Sequence, residues 1–146
     1  MKLLVYYISE LVRFLYQGYL RFRGVQIGQN TMISLGAKID THRGKVSIGD
    51  NCLITHGVKI LSHDGAMRLI DSSDDGNGFV KIGNNVFVGV NSIVLRNVTV
   101  GDNVVIAAGS VVTKDIPENT LVAGNPAKPI KELKGPFPIL NDRKKY

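Results

Sequence analysis

The chain has 146 residues, 44% hydrophobic and 21% charged, which suits one globular domain with its own core and excludes a disordered chain. Its net charge of +6 comes without a Lys/Arg cluster interleaved with aromatics, so no nucleic-acid footprint is expected. Cys52 is the only cysteine, which excludes an internal disulfide and fits a reducing, cytoplasmic setting. It occupies a repeat position otherwise held by Val, Ser or Ala and reads as a small buried hydrophobe rather than a nucleophile.

Residues 2–23 are predicted helical. Leu4, Ile8, Leu11, Leu15, Tyr19 and Phe22 recur on one face, and Glu10, Arg13, Gln17 and Arg21 on the other. The uncharged run from Leu3 to Ser9 is too short to span a bilayer, and no small-residue cleavage site follows it. Two placements fit. The apolar face packs on its own domain or on a sister subunit, or the helix lies on a membrane surface. For the latter, Tyr6, Tyr7, Phe14, Tyr16, Tyr19 and Phe22 with three Arg residues form an interfacial set.

From residue 25 to 117 the chain follows a repeat. Ile82, Val88, Val94, Val100, Ile106 and Val112 recur every six residues, a period that belongs neither to a helix nor to a single strand and points to a solenoid. The expected core is the aliphatic position of each hexad: Ile27, Ile33, Ile39, Ile48, Ile54, Ile60, Ile82, Val88, Val94, Val100, Ile106 and Val112. A second inward position, four residues on, holds small or medium residues such as Thr31, Ala37, Cys52, Val58, Val86, Ser92, Val98, Val104 and Ser110. Each short strand stacks in parallel on its equivalent in the next coil.

Each coil is headed by an aliphatic residue, Gly, a polar residue and Asn (Ile27 to Asn30, Ile48 to Asn51, Ile82 to Asn85, Val100 to Asn103). This is turn chemistry in which Gly and Asn are expected to supply the left-handed backbone of a corner. Gly83 and Gly101 stand 18 residues apart, which is three hexads and one triangular coil. Gly28 and Gly49 stand 21 apart, and the extra three fall at Asp40–Lys45. Gly49 and Gly83 stand 34 apart, and the extra sixteen form a loop rich in Gly, Asp and Ser, expelled at about 61–80. A long loop on a regular scaffold is a place to look for function. Residues 118–146 form a C-terminal extension, with one more strand at Leu121–Gly124, a helical turn at Ile130–Lys134 and a loose tail.

The hexads, the loop headed by Ser62-His63-Asp64, and Val111 to Pro117 followed by Ala123 to Lys128 resemble the hexapeptide-repeat acyltransferases, in the galactoside, maltose and colanic-acid type O-acetyltransferase branch. The resemblance spans about residues 25–133. It implies an all-β fold, a left-handed parallel β-helix with an N-terminal helix and a short C-terminal extension. It implies a homotrimer with active sites between subunits, and acetyl-coenzyme A as co-substrate. His63 matches the family's catalytic histidine, and an imidazole, with an ordinary pKa of about 6.5, suits the removal of a hydroxyl proton near neutrality. Phe87, Val90, Ala108, Thr113, Lys114, Lys128 and Lys131 match coenzyme A contacts by position. Lys stands at the last two where relatives often have Arg, which keeps the charge but loses the bidentate fork.

Asp40, His42 and Asp64 are candidates for the acceptor side. The group that orients His63 is left open between Asp64, a backbone carbonyl and a sister subunit's carboxylate. His56 reads as solvated surface. No metal is expected: a zinc branch of the same fold needs three His per ion, and the three His here have no compact ligand spacing. The implied reaction is direct acetyl transfer to a sugar or polysaccharide-precursor hydroxyl. N-acetylation of an amino sugar and a non-enzymatic binding or assembly solenoid are the alternatives.

Overall fold

A computed structural model describes residues 1–135. The expected loose tail, from residue 136 on, lies outside the described residues.

After helix α1 (Lys2–Phe22) the chain winds into stacked coils of three short strands. Coil one holds β1 (Gln26–Ile27), β2 (Met32–Ile33) and β3 (Lys38–Ile39). Coil two holds β4 (Lys45–Ile48), β5 (Leu53–Ile54) and β6 (Lys59–Ile60), and is followed by the expelled loop with its short helix α2 (Met67–Ile70). Coil three holds β7 (Phe79–Ile82), β8 (Phe87–Val88) and β9 (Ile93–Val94). Coil four holds β10 (Val98–Val100), β11 (Val105–Ile106) and β12 (Val111–Val112). β13 (Thr120–Ala123) and β14 (Lys128–Glu132) close the chain.

Three faces result. The first is β1-β4-β7-β10, the second β2-β5-β8-β11-β13-β14, and the third β3-β6-β9-β12. All pairings are parallel except β13 with β14. Like residues stack in register, as with Ile33, Ile54, Val88, Ile106 and Val122 on the second face. This is the expected parallel β-helix with its N-terminal helix and C-terminal extension.

The hexad columns form the core. Every expected aliphatic position is buried except Ile27, which is half-buried on the first strand of coil one. The second inward positions are all buried, Cys52 among them. Burial pushes the Cys52 thiol up to about 11, in keeping with a packing role.

Four expectations are corrected. The corner glycines Gly28, Gly49, Gly83 and Gly101 do not take the left-handed backbone; Asn30, Asn51, Asn85 and Asn103 do, with φ of 53–56°. The glycines are needed for close approach instead: a Cβ on Gly83 would sit 2.3 Å from Asp102 Oδ1 and 2.8 Å from the Gly101 carbonyl carbon in the next coil. The expelled loop ends before β7, since Phe79 and Val80 already pair with Lys45 and Val46. Ile130–Lys134 is not a helical turn, because Lys128–Glu132 is a strand folded back against β13.

The fourth correction concerns α1. N–H groups at alternate positions of a coil donate to the next one, as in Met32 to Cys52 at 2.8 Å and Leu53 to Val86 at 2.9 Å, and others donate back to the preceding coil. In coil one the Gln29 and Gly36 carbonyls accept N–H groups of coil two, whereas those of Thr31 and Ala37 face the N-terminal end. α1 lies across that end and answers them with side chains: Tyr16 Oη donates to the Ala37 carbonyl at 2.7 Å and Gln17 Nε2 to the Thr31 carbonyl at 3.2 Å. Leu20 is the buried anchor. The face that meets the body is the one carrying Arg13, Tyr16, Gln17 and Leu20, whereas Leu4, Ile8, Leu11, Leu15, Tyr19 and Phe22 stay exposed. The apolar face does not pack on its own domain.

Candidate active site

The two departures from period six meet in space. Both leave the solenoid at the corner after the third face. The Asp40 N–H donates to the Ile60 carbonyl at 2.9 Å, which stacks the three-residue insertion directly on the root of the expelled loop. Gly44, at φ 74°, brings the insertion close: a Cβ there would lie 2.3 Å from the Ser62 carbonyl oxygen. The stacking puts Asp40 beside His63, although 23 residues separate them in the chain.

Asp40 is the orienting group for His63. Its Oδ2 faces His63 Nδ1 in a close contact. The same oxygen accepts the Ser62 N–H at 3.1 Å, and Oδ1 accepts the His42 N–H at 3.0 Å. The Ser62 hydroxyl has one proton to give, with the Arg43 carbonyl at 2.6 Å and Asp40 Oδ2 at 2.9 Å in reach. The Asp40 side chain is only 4% exposed, against 41% for His63. Burial pushes the Asp40 carboxyl up, but the hydrogen bonds from His63, the His42 N–H and Ser62 outweigh it and hold the group below the usual carboxylate range. A carboxylate on Nδ1 selects the tautomer with its proton there and leaves Nε2 with its lone pair free.

The expelled loop is pinned at both ends. His63 pairs with Asn77 in an isolated antiparallel bridge, and the Asp64 N–H donates to the Gly76 carbonyl at 2.8 Å. Arg96, on the turn after β9, donates to Asp74 Oδ1 at 3.0 Å and to the Asn77 carbonyl at 3.1 Å. The Arg96 guanidinium holds the Asp74 carboxyl below its ordinary value. Between loop and insertion lies a groove of about 280 Å³, lined by Arg43, His63, Asp64, Gly65, Arg68, Leu69, Asp75 and Gly76. A second groove next to it adds His42, Lys45 and Phe79.

The other expected residues divide into two groups. Thr113 and Lys114 are exposed and follow β12 at the same corner as His63, two coils further on. Val90 and Ala108 are exposed at the opposite edge of the third face, stacked through the Gly109 N–H on the Val90 carbonyl at 2.8 Å. Phe87 lies half-buried on β8, and Lys128 and Lys131 are exposed on β14, all on the second face. One chain therefore keeps His63 and the Val90–Ala108 edge apart by the width of the third face.

Asp64 does not orient His63: its Oδ1 accepts the Ala66 N–H at 2.8 Å and turns the loop. His56 is exposed over Gly36, near the corner of Val90 and Ala108 and away from His63. Among the described residues no three His, Cys, Asp or Glu come together so as to hold a metal ion. Sequence reasoning missed Ser62 as a strut and Arg68 and Asp75 as groove lining, whereas Arg43 belongs to the insertion, with Asp40 and His42, that was read as a candidate for the acceptor side.

Residues 79–114 match the family described as bacterial transferase hexapeptide (six repeats). The chain is 43% identical over 109 residues to Protein CapG of Staphylococcus aureus, covering 75% of this chain and 53% of CapG. It thus spans about half the length of that relative. Among solved structures, a maltose O-acetyltransferase from Clostridium difficile 630 superposes with a TM-score of 0.67 at 39% identity, covering 77% of this chain and 60% of that one. A hexapeptide-repeat acetyltransferase of Vibrio cholerae, VCA0836 in complex with acetyl-coenzyme A, gives 0.68 at 30% identity, covering 77% and 62%. Repeat, coil geometry and sequence identity agree: the chain carries the bacterial transferase hexapeptide repeat and is similar over about three quarters of its length to hexapeptide-repeat acetyltransferases.

Proposed function

We propose that this chain is an acetyltransferase that moves an acetyl group from acetyl-coenzyme A to a hydroxyl of a sugar or polysaccharide precursor, with His63 as general base. The observation that carries this reading is the His63–Asp40 pair at the root of the expelled loop. Nε2 of His63 takes the proton of the acceptor hydroxyl as that oxygen bonds to the acetyl carbon, and returns it to the sulfur that leaves. Asp40 keeps the imidazole aimed and stabilises its protonated form. No covalent enzyme intermediate is required. The groove supports a hydroxylated, polar acceptor, since Arg43, Asp64, Arg68 and Asp75 border His63 and Leu69 is the one large apolar side chain among the lining residues. The relatives with acetyl-coenzyme A bound and with O-acetyltransferase activity support the donor and the oxygen acceptor.

The residues present fit the donor. The corner of Val90 and Ala108, with Ala107 and Gly109, carries small side chains that let an extended arm lie against the backbone. The exposed Lys114, Lys128 and Lys131 supply cations for phosphates. Because His63 and the Val90–Ala108 edge stand apart in one chain, the reading includes a homotrimer in which a neighbouring subunit's edge faces His63. Light scattering coupled to gel filtration measures that mass.

The test of the mechanism is His63→Ala. The expected loss of acetyl transfer, followed by thiol release in an acceptor screen, is about 10²–10⁴-fold, with acetyl-coenzyme A binding retained by calorimetry. Unchanged turnover overturns His63 as the base.

A further inference from the structure

Helix α1 is amphipathic with its faces reversed for a cap. The stripe laid on coil one contains Arg13, Gln17 and Glu10 beside Tyr16 and Leu20. Leu4, Leu11, Leu15 and Phe22 lie on the opposite side of the 3.6-residue turn and are between 58% and 88% exposed. A continuous apolar face of this size on a soluble surface marks an interaction site. α1 covers the open end of the solenoid, so this face points away from the body. Among the described residues no helix is long and apolar enough to cross a membrane.

Charge says what covers it. Residues 1–44, which make up α1 and the first coil, contain six Lys or Arg and two carboxylates, giving this end +4 of the chain's +6. Both carboxylates are already engaged, Glu10 by Arg13 and Asp40 by His63. A second copy meeting this end face to face would set +4 against +4. An anionic surface would meet complementary charge, and the exposed Tyr6, Tyr7, Phe14 and Tyr19 along the helix suit the boundary between headgroups and acyl chains.

We propose that α1 docks on an anionic membrane surface, its outward apolar face in the lipid interface and the basic end of the solenoid against the headgroups. The docking uses neither His63 nor the coenzyme A residues, so it stands or falls separately from the acetyl-transfer reading. The full chain is sedimented with phosphatidylcholine vesicles, with vesicles carrying phosphatidylglycerol as well, and without vesicles. Wild type is expected to partition onto anionic vesicles at least about tenfold better than onto neutral ones, and to be weakened by salt of about 0.5 M. The double variant L11D/L15D changes two exposed side chains and is expected to keep the wild-type circular dichroism while losing binding by at least about tenfold. Equal partitioning of wild type and L11D/L15D, or no preference for anionic vesicles, overturns the proposal. Larger assemblies of wild type without vesicles, absent in L11D/L15D, assign the face to a second copy and overturn it as well.

Discussion

Coils three and four and coils one and two are built on the same stacked columns and spend them differently. From β7 to β12 the chain departs nowhere from period six, and its buried columns of Ile and Val leave corners and outward strand positions such as Phe79 and Lys81 to solvent. In coils one and two the same Ile columns continue, but the corner after the third face opens twice, once by three residues and once by an expelled loop. Stability is therefore carried by the columns of both halves, whereas the chemistry collects where the corner is broken. The lesson is that an interruption needs a stiff neighbour: Arg96 of coil three reaches back to Asp74 and Asn77, and the stacked corner sets Asp40 beside His63.

This division can be broken experimentally. The largest effect on the regular half is expected from Ile106→Ala, which empties a fully buried site between β8 and β13. It should cost about 2–5 kcal/mol of unfolding free energy in urea, with turnover of the folded fraction unchanged. A stability loss under 1 kcal/mol would mean that the columns carry less than the burial implies. Asp40→Asn tests the interrupted half in the opposite sense. It should lower kcat by about 10–100-fold, or roughly 1.4–2.7 kcal/mol, while the coenzyme A affinity measured by calorimetry stays as in wild type. Loss of affinity with unchanged kcat would make Asp40 a binding residue instead.

The smallest effect is the pH dependence of that pair. The folded Asp40 carboxyl is held below its unfolded value, so its stabilisation is fully present above the ordinary carboxylate pKa of about 3.9 and is lost as pH falls through the folded pKa. The difference in urea midpoint between wild type and Asp40→Asn should therefore close in acid, below pH about 4. A gap that stays open at lower pH would separate the substitution's cost from the ionised carboxylate.

Much of this was legible before any coordinates. A strict six-residue period needs only side-chain type and spacing, and the residues it marks are the buried ones, apart from the half-buried Ile27 at the end of the stack. The loop and the insertion were legible as lapses in that period, and His63 as the residue where the longer one opens. The partner of His63 was not. Asp40 lies 23 residues earlier, and only stacking of one coil on the next makes sequence-distant corners neighbours. The corner glycines were misread for the same reason: whether Gly83 is required by its own φ or by the Asp102 and Gly101 atoms of the next coil is a tertiary question.

The sequence by itself determined the repeat, the core and the place where the repeat fails, because periodicity is a property of the chain taken one residue after another. It also determined that α1 is amphipathic. Only the tertiary structure decided which way that helix faces. The Thr31 and Ala37 carbonyls at the end of coil one take hydrogen-bond donors from the helix, so the polar stripe with Tyr16 and Gln17 turns inward and Leu4, Leu11, Leu15 and Phe22 are left outside.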